Sequence, residues 1–209
     1  MDKRTIRVRG SAKVSGAPDW VAISFKLISQ DYEYANSMEQ LAVQTDSLRQ
    51  ELASVGLDKE SLKTFQFNIE TDFEWVKERY IFKGYKATHN LRIEFPFEKD
   101  YLNKVLRVLS RTKSQASFKI SFEVKDPELL RQQAIAGAVK NSRENAKVLA
   151  EASGVTLGEI IEIDYSWSEI HFQPIVNYSC LEAASPPAYD ITPEDVDVSD
   201  SVTVIWSIK

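Results

Sequence analysis

Apolar and polar positions along this chain alternate with period two in some stretches and recur at three- and four-residue steps in others. From Thr5 to Val14, the residues Ile6, Val8, Gly10, Ala12 and Val14 alternate with Arg7, Arg9, Ser11 and Lys13, the pattern of a strand with one face in a core. Gly16-Ala17-Pro18-Asp19 reads as a turn, after which Val21, Ile23, Phe25 and Leu27 mark a second strand running towards Gln30. The expectation for these two strands is a hairpin. Tyr34, Met38, Leu41, Ala42, Leu48, Leu52 and Val55 fall on one face of a helix, which Gly56 is placed to stop with a left-handed cap. Phe65, Phe67, Ile69, Thr71 and Phe73 form a third alternating run. A fourth carries Tyr85, Ala87, His89, Leu91, Ile93 and Phe95 on one face and Lys86, Thr88, Asn90, Arg92 and Glu94 on the other. Residues 74–79 between them read as the bend of a long hairpin or as a strand extension.

Glu98 to Arg111 suits a short helix that buries Leu102, Val105, Leu106 and Leu109, and Phe118, Ile120, Phe122 and Val124 supply a fifth strand. Asp126-Pro127 then opens the longest helix, Asp as a cap and Pro at a first position that gives up no intrahelical bond; Gly154 closes it. On this helix Ala134, Ala138, Ser142, Ala146 and Ala150 form a row of small side chains, which permits close approach of a sheet or a second helix. Gly137, unfavourable in a helix by about 1 kcal/mol relative to Ala, fits the same need for room. Ile161, Ile163, Tyr165 and Trp167 indicate a further strand, and Val202, Val204, Trp206 and Ile208 a last one. Residues 181–200 hold three prolines, six acids and no base, and are read as a loop, long enough to suggest a functional or mobile segment. The order β-β-α-β-β-α-β-α-β-β is that of an α+β fold, helices covering antiparallel sheet. With 209 residues, a single domain spanning 1–209 is expected, with room for division into two closely packed subdomains.

Charge changes this picture in one respect. Residues 1–147 carry 25 Lys and Arg against 20 Asp and Glu, whereas 148–209 carry 1 against 11. Such asymmetry keeps a protein dissolved and can also steer copies head to tail. A net charge of −5 argues against a nucleic-acid partner, which needs clustered Lys and Arg. No apolar run approaches the ~20 residues of a membrane-spanning helix. The basic start, Lys3 to Arg9, leads into no apolar stretch of signal-peptide length, so a cytoplasmic location is expected, with a periplasmic or extracellular one as the alternative if a leader was removed.

Candidate chemistry is sparse. The single cysteine, Cys180, rules out an internal disulfide and a Cys-based zinc cluster. No G-x-G-x-x-G, Walker or G-x-S-x-G motif occurs, so no catalytic residue and no cofactor is assigned. His89, on the apolar face of its run, reads as a hydrogen-bonded histidine at the edge of the core. His171, with Asp164, Glu169 and Cys180, is a group from which a metal or small-ligand site, or an enzyme active site, could be built, although their spacing matches no known ligand set; the acids of 181–200 could serve as a lid or hold calcium but lack the spacing and glycine of a calcium loop. Arg7 and Arg9, on the polar face of the first strand, could meet an anionic partner, but the favoured reading is a charged edge strand that discourages aggregation. The leading expectation is therefore a non-catalytic protein that associates with copies of itself, with strand addition of another protein at an exposed edge as a further possibility.

Several of these features, taken together, resemble the SIMPL-domain family, which includes bacterial periplasmic immunogenic proteins. The likeness is carried by Ile6-x-Val8-x-Gly10, Pro18-Asp19, Leu52-x-x-Val55-Gly56-Leu57, Leu62-x-Thr64, Tyr85-Lys86-Ala87 and Leu102-x-x-Val105-Leu106. It continues through Ala134, Ala138, Ala146, Leu149-Ala150, Gly154, Leu157-Gly158 and Ile160, with Asn141-Ser142 standing where the family often has alanine. The resemblance implies an α+β fold, assembly into homo-oligomers, no accepted catalytic residues and an undefined biochemical role.

Overall fold

A computed structural model describes residues 4–112, 114, 116–165 and 190–209. In chain order the elements are β1 (Thr5–Gly16), β2 (Trp20–Asp31), α1 (Tyr34–Ser54), a short 3-10 turn, β3 (Lys63–Val76), β4 (Arg79–Pro96), α2 (Lys99–Leu109), β5 (Ser117–Glu123), α3 (Glu128–Ala152), β6 (Leu157–Asp164) and β7 (Val196–Ile208). Both sheets are antiparallel, so the α+β class and the element order read from the sequence hold. The chain divides into two compact units, one made of residues 1–18, 124–173 and 194–209, the other of 19–123 and 174–193.

The larger unit is a four-stranded sheet in the order β3-β4-β2-β5, with α1 and α2 over one face. Val21, Ile23, Phe25 and Leu27 of β2 and Leu91, Ile93 and Phe95 of β4 point to that face and meet Leu41, Leu48 and Leu52 of α1. All four positions expected to be buried on the second helix, Leu102, Val105, Leu106 and Leu109, are buried. On α1 the apolar stripe is interrupted: Ser37 and Thr45 are buried, while Tyr34 is half exposed. Both polar residues have partners. Ser29 donates to the Ser37 carbonyl at 2.7 Å, and Thr45 Oγ1 donates to the Leu41 carbonyl at 2.8 Å. Gly56, at φ 88°, ends the helix in the left-handed conformation anticipated for it.

Because the Thr45 hydroxyl proton goes to Leu41, its oxygen can only accept from His89 Nδ1, 3.1 Å away. That fixes the tautomer, and Nε2 accepts from the Thr64 hydroxyl at 2.8 Å. Burial, reinforced by the Arg49 guanidinium, pushes the imidazole below its ordinary value of 6.5.

The smaller unit is a three-stranded sheet, β1-β7-β6, carrying α3 on one face. Here the sequence reading needs two corrections. β1 does not pair with β2; it pairs with β7 along its whole length, from Thr5 opposite Ser207 to Gly16 opposite Val196. Alternation reports which face of a strand is buried and is silent on its neighbour. The side chains are informative in retrospect: Gly10 and Ala12 suit a helix with small residues, whereas the Val, Ile, Phe and Leu of β2 need a deeper layer. The segment read as a loop over 181–200 is also partly strand, since β7 begins at Val196; residues 181–189 lie outside the described residues. Its acids mask an ordinary alternation. Val198, Val202 and Val204 point to the core, and Asp197 lies on the open face against Lys13 at 2.5 Å and Ser15 at 2.7 Å.

Ala134, Ala138, Ser142, Ala146 and Ala150 are all buried on α3, whose row of small residues lies against its own sheet. A Cβ on Gly10 would sit 2.1 Å from the Ala138 carbonyl oxygen and 2.4 Å from the Ser142 nitrogen, and one on Gly137 would sit 2.7 Å from the Ala12 methyl. Helix and strand thus touch backbone to backbone. The row is consumed inside one chain and leaves nothing for a partner.

Two measurements follow. Gly10→Ala should lower the urea-unfolding free energy by about 1–3 kcal/mol through overpacking, while Ser142→Ala, which removes a buried hydroxyl without a partner among the described residues, should be neutral or stabilising. For His89, the unfolded imidazole binds a proton more readily than the folded one, so its contribution is lost as pH falls from about 6.5 through the lower folded value. The urea midpoint of the wild type should therefore drop between pH 7.5 and pH 5 by more than that of His89→Gln.

Candidate interaction surface

Beyond the helices, β3 and β4 continue as a hairpin that runs past the end of β2. The last residue of β2 to pair with β4 is Asp31, opposite Tyr85, whereas β3 and β4 remain paired as far as Val76 and Arg79. Two backbone features allow this. Gly84, at φ 116°, passes so close to β2 that a Cβ would lie 2.3 Å from the Asp31 carbonyl oxygen. Next to it the register shifts, Asp72 standing opposite Gly84 and Phe73 opposite Phe82, which places an extra residue, Lys83, on β4. Asp31 also starts the helix beside it: its Oδ1 accepts from the Glu33 N–H at 2.9 Å and its Oδ2 from Gln40 at 3.1 Å. The Glu33 N–H holds this carboxyl below the usual carboxylate range.

Phe67, Ile69, Thr71, Phe73 and Trp75 share one face of β3 by alternation, the face that α1 covers nearer its middle. On the projecting part nothing covers it among the described residues. Trp75 is 59% exposed, Tyr80 74% and Tyr32 66%. The rings form a connected series: Tyr34 on Tyr85 at 5.7 Å, Tyr85 on Phe82 at 5.6 Å, Phe82 on Phe73 at 5.5 Å and on Tyr32 at 6.3 Å, and at the tip Trp75 on Tyr80 at 4.5 Å. All are edge-to-face, the arrangement the ring quadrupole favours. The opposite face carries charged pairs beside Ile81. Lys83 bonds Glu74 at 2.8 Å, which holds its ammonium above the ordinary value, and Gln30 bonds Asp72 at 2.8 Å. Among the described residues this leaves a contiguous, uncovered aromatic surface rich in Trp and Tyr, the side chains that contribute most where proteins bind one another.

The residues singled out from the sequence do not form a centre in the described part of the chain. Asp164 ends β6 opposite Thr203 of β7; His171, Glu169 and Cys180 lie outside the described residues. No cluster of three or more metal-ligating side chains occurs among the described residues. On the open face of β1, Arg9 donates to Ser201 at 3.0 Å and Lys13 pairs with Asp197, lining a groove of 530 Å³. A cavity of 220 Å³ beside α1 reaches His89, but both nitrogens of that ring are already engaged by threonines. The charge asymmetry along the sequence does not separate the two units either. The smaller unit holds 11 basic and 13 acidic residues and the larger 15 and 18, because the acidic C-terminal strand returns to pair with the basic first strand.

The aromatic arm was partly visible beforehand, since residues 74–79 read as the bend of a long hairpin. Its exposure was not. The available signal was the repeat of aromatics at every second position, Phe73 and Trp75 going out and Tyr80 and Phe82 coming back. The turn joining them, Lys77 at φ 47° and Glu78 at φ 63°, has two side-chain-bearing residues in the left-handed region, where a type I′ turn favours Asn-Gly. Each such residue costs about 1 kcal/mol or more. Lys77→Asn combined with Glu78→Gly should raise the unfolding free energy by about 1–2 kcal/mol, read from urea denaturation.

Comparison with known proteins finds likeness over nearly the whole chain. The model of the SIMPL family, described as a protein of unknown function (DUF541), matches residues 6–206. An uncharacterized protein YggE of Edwardsiella ictaluri (strain 93-146) is 23% identical over 204 residues, an overlap of 96% of this chain and 85% of that protein. Its counterpart in Escherichia coli (strain K12), likewise an uncharacterized protein YggE, is 20% identical over 201 residues, covering 96% of this chain and 81% of the relative. With a match that begins in β1 and ends in β7, the chain belongs to the SIMPL family.

Proposed function

We propose that this protein is non-catalytic and works by associating with copies of itself through the aromatic face of the β3–β4 arm. The observation that carries this reading is the run of large rings held out beyond the end of β2, with Trp75 and Tyr80 more than half exposed. Monomeric proteins rarely display a contiguous apolar patch of this kind, and burying it on a second molecule removes several aromatic side chains from water at once. The chemistry of the arm supports binding rather than turnover: it presents rings and backbone, and its charged groups Lys83, Glu74 and Asp72 are paired on the reverse side.

This reading differs from association by the small-residue row of α3, which is buried within the chain, and from steering by oppositely charged segments, whose charges the fold divides between both units. Association driven by aromatic contact is only weakly sensitive to salt, since screening acts on charges and not on apolar burial. Light scattering at micromolar concentration should show an oligomer at both low and high salt. Trp75→Ser combined with Tyr80→Ser should raise the dissociation constant at least tenfold while leaving the circular dichroism spectrum unchanged. A wild-type monomer at every salt concentration would count against the reading.

A further inference from the structure

β3 is an edge strand of the larger sheet, and no described residue pairs with its outer side. The other edges are blunted in ways proteins commonly use: β5 is only 7 residues long, β1 carries Arg7, Arg9 and Lys13, and β6 is broken by two register shifts. β3 runs for 14 residues without a proline or glycine. Such an edge is a template for another strand.

The side chains of β3 say which strand. If a second copy of the chain pairs antiparallel with it about a two-fold axis, residues on either side of the axis face each other in the order the centre dictates. A centre at Glu70 sets that carboxylate against itself. One at Thr71 sets Glu70 against Asp72 twice, and one at Asp72 sets Glu70 against Glu74 twice. Directly opposed like charges destabilise a strand pair. Centres at Phe67, Asn68 and Ile69 have none of these conflicts; at Ile69, Ile69 meets Ile69 and Phe67 meets Thr71 on one face, while Asn68 meets Glu70 and Gln66 meets Asp72 on the other. These opposed amides and carboxylates can hydrogen-bond. Gln66–Asp72 is also the stretch of β3 that lies between the two register irregularities, at Thr64/Gln66 and Asp72/Phe73, so the paired segment is regular and Ile69 is its midpoint.

We infer that two copies of this chain join at β3, antiparallel and centred on Ile69, so that two four-stranded sheets become one continuous sheet. The inference rests on the self-association proposed above and adds to it a second contact, the β3 edge, which leaves both aromatic faces free to meet further copies. Pairing of this kind also sets the two aromatic faces side by side on the same side of the joint sheet, which extends the surface carried by each arm.

Disulfide trapping tests the register in the full-length chain with Cys180→Ser. Opposed residues in an antiparallel pair have Cα atoms about 4.5–5.5 Å apart, within disulfide reach, whereas Thr71 and its symmetry copy would be separated by roughly 13 Å along the strands. Ile69→Cys should therefore give a covalent dimer on mild oxidation, and Thr71→Cys should not. Because replacing Ile69 touches the edge of the core, a second pair uses exposed positions: Asn68→Cys mixed with Glu70→Cys should cross-link, and neither should do so alone. Oligomers seen by light scattering that link at Thr71, or at none of these positions, would overturn this register while leaving self-association standing. A monomer under all conditions would overturn both.

Discussion

The cover over the larger sheet stops at Asp31. There β2 ends, its carboxylate takes up the Glu33 N–H and the Gln40 amide at the start of α1, and its carbonyl oxygen lies against Gly84 as β4 goes by. A side chain at position 84 would collide with that carbonyl, so the hairpin could not continue beyond the helix without glycine. Everything distinctive about the surface follows from this mismatch in length. α1 gives Val21, Ile23, Phe25 and Leu27 of β2 a roof, whereas Phe73, Trp75, Tyr80 and Phe82 of the longer pair have none among the described residues. Edge-to-face contacts among the rings and hydrogen-bonded charges on the reverse side keep the arm ordered, at the cost of a strained turn at Lys77 and Glu78.

The smaller unit solves a different packing problem. Gly10 and Gly137 remove side-chain bulk where β1 and α3 meet, so the helix backbone comes within touching distance of the strand. Close packing of that kind favours dispersion contact but tolerates almost no added volume. It also explains why the small residues of α3 bear on folding and not on assembly: Ala134, Ala138, Ser142, Ala146 and Ala150 are all covered by the unit's own sheet.

The individual elements were legible because each depends on local chemistry. Leu102, Val105, Leu106 and Leu109 predicted a helix face that is buried in full, Gly56 and Gly154 end helices with positive φ, and His89 is the hydrogen-bonded core-edge residue its position suggested. The pairing of β1 with β7 is not legible in the sequence, because a strand's alternation is the same whichever neighbour supplies its hydrogen bonds. The acids of residues 196–200 hid the start of β7 for a related reason: an open sheet face accepts charge as readily as a loop does, and Lys13 and Ser15 were waiting opposite Asp197.

By itself, then, the sequence determined the elements, their order, the α+β class and the close approach prepared by small residues on α3, since all of these are set by side chains acting over a few neighbouring positions. Only the tertiary structure decided which strands pair, that the acidic end returns to the basic beginning, and which rings α1 leaves uncovered. Those outcomes depend on the relative lengths of segments far apart in the chain, here β2 against the β3–β4 pair, and no local pattern records that difference.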